Sequence, residues 1–369
     1  MENNQAHNSA GAEVGVRELT ALTVCGLLSL IVRLVPGETG VWAGAGGWLS
    51  PLIALPFYLL ALLVLVAVFR RLPRGTGLGG LYRLAFGRWW GRFFTVLTGV
   101  WLLLIAAVAL RFYVESVVSS VYGGTAMWLF LAGLMAVVWW ACAQGRGAVC
   151  RMGQIFLRVL EVILALILLL GLRETHLYHV WPFWLEGAGG LLRSALPVTV
   201  ILGYSIPVLF LRGELADNEE GRGIAVKKMT GLSLISTGAA VVILGMFGWK
   251  TAARLQAPFF SVAKEVSILN VVERAESVVA AVWVLSDAAL IAALLDASTG
   301  YLQRGALPLR RKLIYTAGGA AVIAGAALIG PTLFQLRELW VKVLWQGDAG
   351  VCYLLPLAAC GTVWIKKGI

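Results

Sequence analysis

Charged residues are scarce in this sequence, and their scarcity excludes an ordinary soluble fold. Only 13% of the 369 residues are Asp, Glu, Lys or Arg, whereas a soluble domain carries about 25%. In contrast, 60% of the residues are hydrophobic and the mean hydropathy is +0.85. One water-soluble core cannot bury this much apolar surface. The chain is therefore predicted to be an integral membrane protein, in contact with the lipid bilayer.

The residues on which most enzymes and metal sites depend are also rare. The three His lie in the N-terminal tail and one loop, and none of the five Cys belongs to a CxxC pair. The GLGG run at 77–80 lacks the strand–helix context of a phosphate-binding loop. We expect no enzyme activity, no cofactor, no metal and no nucleic-acid partner, and we attribute the net charge of +11 to basic loops on one side of the membrane.

Ten apolar stretches are long enough to cross a bilayer as helices. They cover residues 18–35, 48–70, 93–118, 126–143, 153–172, 194–212, 230–248, 275–299, 312–330 and 350–366. The segments on the side of the termini carry more than twice as many Lys and Arg residues as the opposite loops. This bias places both termini in the cytoplasm. Residues 1–16 are expected to form a disordered tail, and 17–369 one permease domain with repeat halves near 17–175 and 190–369.

Two spans contain residues that interrupt helices. These are Gly26, Ser29 and Pro36 in span one, and Pro197, Gly203, Tyr204, Ser205 and Pro207 in span six. Spans one and six are the first helices of two five-helix halves, and matched interruptions of this kind indicate a transporter-type binding site. The alternative is an ordinary Gly or Pro kink. The pattern favours an all-α membrane fold with a LeuT-like inverted repeat and broken spans one and six.

Several charged residues fall inside the spans, where each is costly and faces protein or water. Arg111 and Glu115 are one helical turn apart and are predicted to pair. Arg158 and Glu161 are interpreted in the same way. Arg33 lies near a span end, so its side chain is expected to reach the interface.

Asp287 has no basic partner within a turn of its own helix, and Ser286 is its only polar neighbour. The carboxyl group must be protonated or must meet a donor from another helix. Free N–H groups at the broken span six are one candidate donor. A structural role and a ligand-binding role for Asp287 both remain open.

Several short motifs resemble the spore germination permease family, within the amino acid/polyamine/organocation transporter group. The run of Pro258, then ERAE at 273–276, then Trp283 is similar to a family pattern. Further similar stretches are LVPGETG (34–40), FGRWWGRFF (86–94), LRFYVES (110–116) and RMGQIF (151–156). Their order and spacing extend over residues 17 to 366.

This resemblance implies a ten-helix permease fold with a small polar ligand, often an amino acid, held between spans one and six. It also implies a germinant receptor complex with A-type and C-type subunits in the spore inner membrane. From span three it adds Trp101, Arg111 and Glu115 as candidate site residues, and from span eight Ser286 and Asp287.

The sequence departs from the family pattern at Gln154, Arg158, Leu290 and Asp287. A cationic ligand held by Asp287 is one hypothesis that these departures suggest. Three functions stay open: a ligand sensor, a proton-coupled secondary amino acid transporter that uses Asp287, and a scaffold that has lost its ligand.

Overall fold

The chain is almost entirely helical in the computed structural model, which describes residues 15–120, 127–182, 184, 186–255, 257–268, 275–305, 310–329 and 333–367. No β-strand occurs in these ranges. Helices satisfy their own backbone hydrogen bonds, which is what a segment crossing lipid requires. The sequence prediction of an all-α membrane fold is therefore confirmed.

Ten long helical segments account for most of the described chain, and short helices connect them. The first half contains α1 (Val16–Ala43), α2 (Ser50–Phe69), α3 (Leu78–Ser120), α4 (Met127–Ala143), α5 (Arg146–Gly171) and the short α6 (Leu177–Val180). The second half contains α7 (Gly187–Gly203), α8 (Ser205–Leu209), α9 (Glu214–Asp217), α10 (Glu219–Arg254), α11 (Pro258–Ile268), α12 (Ala275–Gly305), α13 (Arg311–Leu328), α14 (Leu333–Leu339), α15 (Trp345–Ala349) and α16 (Leu355–Lys367).

Seven described segments meet the length and hydropathy of a membrane span, and the first of them joins α1 and α2 in one run, Val16–Phe69. The apolar α4 is shorter, and α13 begins with two basic residues. Each of the ten predicted spans therefore overlaps a helical segment, with α7 and α8 at the sixth and the run Trp345–Lys366 at the tenth.

Helices α1 and α12 form the centre of the bundle. From residue 19 to 40 every side chain of α1 is buried, and so is every residue of α12 from 286 to 299. A helix that is apolar on all sides belongs in such a central position. The two pack closely at Gly26, where an added Cβ would lie 2.7 Å from the Cα of Leu290. Small residues permit this close approach between membrane helices.

The two predicted interruptions have different outcomes. Span six is divided at Tyr204, between α7 and α8, as the sequence predicts. Span one is not: α1 is one continuous helix through Gly26, Ser29 and Pro36. The breaks that do occur elsewhere are at Gly87 in α3 and Gly248 in α10, both with positive φ, 82° and 69°, which glycine adopts at little cost.

Three segments lie at or near gaps in the described structure. The tail lies almost wholly outside the described residues, which begin at Gly15. In the ERAE run, Glu273 and Arg274 also lie outside them, as does the Glu276 side chain. The 249–274 connection contains the short helix α11.

Candidate functional site

A small apolar cavity lies between four parts of the bundle. Its volume is about 10 Å³, the room that a single water needs. The lining residues are Leu30 and Leu34 of α1, Ile105, Val108, Ala109 and Phe112 of α3, Tyr204, and Trp340, Leu344 and Asp348 of the α14–α16 segment. The α1 and α3 residues recur at helical spacing, so each helix presents one apolar stripe to the cavity.

Asp348 supplies the only formal charge among the residues that line this cavity. Its side chain is 1% exposed. Oδ1 accepts a hydrogen bond from Trp101 Nε1 at 2.8 Å, and Oδ2 accepts one from the Tyr204 hydroxyl at 2.5 Å. The indole of Trp340 donates in turn to the Tyr204 hydroxyl at 3.3 Å. Each carboxylate oxygen is thus held by a neutral aromatic donor.

No described basic side chain lies within ion-pair distance of Asp348. A carboxylate buried in a membrane protein without a cation is costly and is usually functional. The two aromatic donors orient the group but do not neutralise its charge. The arrangement therefore suits a cavity that receives a positively charged group.

Helical regularity is interrupted in both segments that form the site, around Asp348 and around Tyr204. Asp348 lies on α15 between two π-helical segments, Trp340–Leu344 and Gly350–Leu354. Such segments are rare and occur frequently at functional sites. Tyr204 lies at the break between α7 and α8, where Ser205 Oγ donates to the Leu202 carbonyl at 2.6 Å. Both residues therefore lie where regular α-helix is interrupted, and their side chains are joined by a hydrogen bond.

A larger vestibule lies next to the cavity and opens to the surface. Its volume is about 280 Å³. Three tryptophans, two other apolar residues and two opposite charges line it: Trp42, Trp340, Trp345, Leu196, Pro197, Glu38 and Arg193. Trp340 lines both spaces and is 3% exposed. Its ring therefore lies between the vestibule and the cavity.

A second polar cluster joins α1 to α12. Asp287 is fully buried, and its carboxylate accepts hydrogen bonds from Arg33 at 3.1 and 3.2 Å and from Ser29 Oγ at 3.0 Å. Arg33 is 4% exposed and also reaches Ser116 Oγ of α3 at 3.5 Å. The donor that Asp287 needed comes from α1, not from the break in span six.

The expectation that Arg33 reaches the interface is wrong. Arg33 lies near the end of the apolar stretch in the sequence, but α1 continues for ten residues beyond it. The guanidinium therefore lies inside the bundle, where Asp287 is its ion-pair partner among the described residues. The sequence suggested a cationic ligand for Asp287, but in the structure its cationic partner is Arg33 of the same chain.

The predicted site residues are distributed over distinct environments. Trp101 and Tyr204 meet at Asp348. Ser29, Ser286 and Asp287 belong to the α1–α12 joint, where Ser286 donates to the Cys25 carbonyl. Gly26 makes the close backbone contact in that joint.

The remaining predicted site residues lie at the α7–α8 break. An added Cβ on Gly203 would lie 2.3 Å from the Tyr353 ring, and Ser205 Oγ forms a hydrogen bond with the Tyr58 hydroxyl at 2.8 Å.

The two ion pairs predicted within single helices differ in outcome. Arg111 Nη2 lies 2.5 Å from Glu115 Oε1, so this pair is confirmed, and neither side chain lines the cavity. Arg158 and Glu161 are both exposed and form no ion pair with each other in the described structure. Long exposed side chains gain too little from pairing to be held together.

Sequence reasoning missed Asp348 and Trp340. The tenth span was started at residue 350, so Asp348 counted as part of a loop. The signal was present: Trp340, Leu344 and Asp348 recur every four residues along one helical face. In the described residues, no group of three or more His, Cys, Asp or Glu side chains could hold a metal ion.

Comparison with solved structures shows the fold. The crystal structure of MhsT in complex with L-phenylalanine aligns with a TM-score of 0.64 at 15% identity, covering 95% of this chain and 98% of that one. A manganese transporter of Eremococcus coleocola aligns at 14% identity over 98% of this chain and 77% of its own, with a lower TM-score of 0.47. The fold is LeuT-like, as the sequence predicts.

Sequence comparison shows the family. No curated protein sequence matches the chain. The profile described as "Spore germination protein" matches residues 25–301, most of the chain from α1 to the end of α12. This permease-like integral membrane protein therefore belongs to the spore germination protein family.

Proposed function

We propose that the chain is the ligand-sensing subunit of a spore germination receptor, and that its ligand carries a positively charged amino group. The observation that carries this proposal is the buried carboxylate of Asp348, which faces the cavity with neutral donors on both oxygens. An ammonium group placed in the cavity would supply the missing charge. Amino acids and simple amines both belong to this ligand class.

The aromatic walls of the cavity support the same ligand class. Phe112, Trp340 and Tyr204 line the cavity beside Asp348. Aromatic faces attract cations, most strongly when water is excluded. The remaining lining residues are aliphatic, so a small apolar substituent would be accommodated next to the amino group. The relative crystallised with L-phenylalanine holds a ligand of this class, although the proposal does not depend on that likeness.

Binding requires the closed cavity to enlarge. A volume of about 10 Å³ cannot hold even a small amino acid. Trp340 lies between it and the 280 Å³ vestibule, and the residue begins a π-helical segment. Displacement of Trp340 would join the two spaces and give the ligand a path from the surface. This displacement is the conformational change that a sensor could transmit to its partners.

The sensing function is favoured over proton-coupled transport through Asp287. Protonation of Asp287 would leave Arg33 without a counter-charge in the apolar core, which is strongly unfavourable. Asp287 is therefore suited to a permanent ion pair and not to a carrier of protons. The family implies A-type and C-type partner subunits and the spore inner membrane, and the distribution of Lys and Arg residues favours cytoplasmic termini. The proposal includes all of these. In that orientation the vestibule lies on the outer side.

The test is a binding and uptake experiment on the purified protein in lipid vesicles. The probes are labelled L-alanine, L-valine and L-phenylalanine, the corresponding amines without a carboxylate, and the N-acetyl amino acids. Bound and internalised label are measured separately, with and without a proton gradient. We expect saturable binding of one or more amino-bearing probes, no binding of any N-acetyl derivative, and no accumulation.

The matched variant is Asp348→Asn, which keeps the size of the side chain and one of its two acceptor oxygens but removes its charge. A hydrogen bond to a charged group contributes about 1.5–3 kcal/mol, so we expect roughly 10- to 100-fold weaker binding. Equal binding of an amine and its N-acetyl form would contradict the proposed site. Gradient-dependent accumulation would instead establish the transporter.

A further inference from the structure

A groove on the membrane-facing surface lies between the end of α2 and the start of α10. We call it the α2–α10 groove. Its volume is about 740 Å³, within the range of pockets that hold small molecules, about 300–1,000 Å³. Leu63, Val66 and Ala67 form its α2 wall, and Gly223 and Val226 form its α10 wall. It shares no residue with the cavity beside Asp348.

The rim of the groove is basic. Arg70, Arg222 and Lys227 line it together with one acid, Glu219. Arg222 lies 3.4 Å from Glu219 Oε1, but the Glu219 side chain is 92% exposed, so this pair contributes little. Arg70 and Lys227 are exposed and have no ion-pair or hydrogen-bond partner among the described residues. Among the described residues that line the groove, the rim therefore carries a net positive charge.

The position of this charge matches the boundary between membrane and water. On α2 the apolar run ends at Phe69 and Arg70 follows, and on α10 the charged stretch ends at Lys228 before an apolar run. The basic side chains thus lie at the level of lipid headgroups. The apolar walls continue from there towards the membrane interior, since Leu63 is 60% exposed. Basic pockets between membrane helices on the cytoplasmic side bind anionic headgroups.

We propose that the α2–α10 groove binds an anionic phospholipid, with its phosphate at Arg70, Arg222 and Lys227 and an acyl chain along the apolar walls. The long stems of these side chains can follow the apolar surface while their charges stay at the headgroup. A free anion would use only the rim. The lipid uses both the rim and the walls, and in the proposed topology it comes from the cytoplasmic leaflet.

Two variants test separately how the rim charge and the open volume of the groove contribute to lipid binding. Lys227→Gln removes one rim charge, and its control is Lys228→Gln, which removes the same charge from the next residue, outside this groove. Gly223→Leu fills the groove without changing charge, because a Cβ at Gly223 would meet no atom within 4 Å. Its control is Gly133→Leu on α4, where the space is equally open. Leu favours a helix more than Gly does, so neither substitution is expected to unfold the chain.

The experiment uses the full-length protein, purified from vesicles that contain phosphatidylglycerol and phosphatidylcholine in equal amounts. Retained lipid is identified by native mass spectrometry, and the melting temperature is measured at increasing phosphatidylglycerol content. We expect phosphatidylglycerol to be retained in preference to phosphatidylcholine and to raise the melting temperature. We expect Lys227→Gln and Gly223→Leu each to lower retention about tenfold, with both control variants near the wild type.

Several results would overturn this assignment. Equal retention of the two lipids would show that the groove does not select an anion. A loss in Lys228→Gln equal to that in Lys227→Gln would show general surface attraction. The same stabilisation by inorganic phosphate in pure phosphatidylcholine vesicles would show that the rim binds an anion without a lipid. Full retention in Gly223→Leu would place the lipid elsewhere.

Discussion

Two buried aspartates, Asp287 and Asp348, lie in the same membrane bundle but have opposite electrostatic surroundings. Asp287 binds the guanidinium of Arg33 through both carboxylate oxygens. Among the described residues, Asp348 accepts side-chain hydrogen bonds from an indole and a phenol and has no cationic partner. One lies in the tightest helix contact of the bundle, and the other lines a cavity beside an open vestibule. The two residues are equally buried, so burial alone does not distinguish a structural acid from a ligand-binding one.

The two aspartates differ in whether a described cationic side chain compensates the carboxylate charge. A buried carboxylate that already has a cation can stabilise a helix joint but has little free energy left for a ligand. A buried carboxylate without a cation is unfavourable until a ligand supplies one. Under the proposed function, the free energy that Asp348 costs in the empty protein would be recovered when the ligand binds. We therefore expect variants of the α1–α12 joint to change stability, and variants around Asp348 to change binding.

The largest effect is expected from Arg33→Met, which leaves Asp287 buried without its cation. Breaking a buried ion pair in this way costs about 3–5 kcal/mol. The measurement is thermal unfolding of the purified protein in detergent. The double variant Arg33→Met/Asp287→Leu removes both charges and is expected to recover most of the lost stability. If Arg33→Met is as stable as the wild type, Asp287 is not held by this pair.

A second comparison is Asp287→Asn against Asp348→Asn, measured in both assays. Asp287→Asn leaves Arg33 uncompensated, so its melting temperature should fall while the folded fraction still binds the amino-bearing probe. Asp348→Asn should unfold near the wild-type temperature but bind about 10- to 100-fold more weakly, because a charge-assisted hydrogen bond is lost. Equal loss of binding in the two variants would mean that both acids contact the ligand.

Gly26→Ala tests the close contact beside the Asp287 joint. The added Cβ would lie 2.7 Å from the Leu290 Cα, and overpacking of this kind costs about 1–3 kcal/mol. The control is Gly231→Ala on α10, where a Cβ meets no atom within 4 Å. That control should be neutral or more stable by up to about 1 kcal/mol. Similar melting temperatures for the two variants would show that α1 and α12 can separate freely.

The smallest effect is expected from Trp101→Phe, which removes one neutral donor to Asp348. The other donor, Tyr204, remains. A hydrogen bond of this type contributes about 0.5–1.5 kcal/mol, so the probe should bind roughly 2- to 12-fold less tightly. The control is Trp139→Phe, where the lost partner is the exposed Thr316 hydroxyl at 3.2 Å. An equal change in both variants would remove Trp101 from the site.

The helical fold was largely predictable because it depends on local properties of the chain. The ten apolar stretches, the Arg111–Glu115 pair and the break at Tyr204 each follow from residues close together in sequence. The break in span one was predicted in the same way but is absent. Gly26 packs closely against Leu290, whereas Pro36 is accommodated within the continuous helix α1. Both outcomes depend on neighbouring helices that the local sequence does not show. The division into repeat halves stays a prediction.

The composition by itself determined that this chain is an integral membrane protein, because it has too few charged residues to form a water-exposed surface. It also determined that Asp287 must find a donor, since an isolated carboxylate is costly in that setting. Only the tertiary structure decided which donor Asp287 finds, and that Asp348 has no cationic partner among the described residues. Arg33 and Asp287 are 254 residues apart, and Trp101 and Asp348 are 247 apart. Contacts over such separations are made when helices pack, and no local pattern records them.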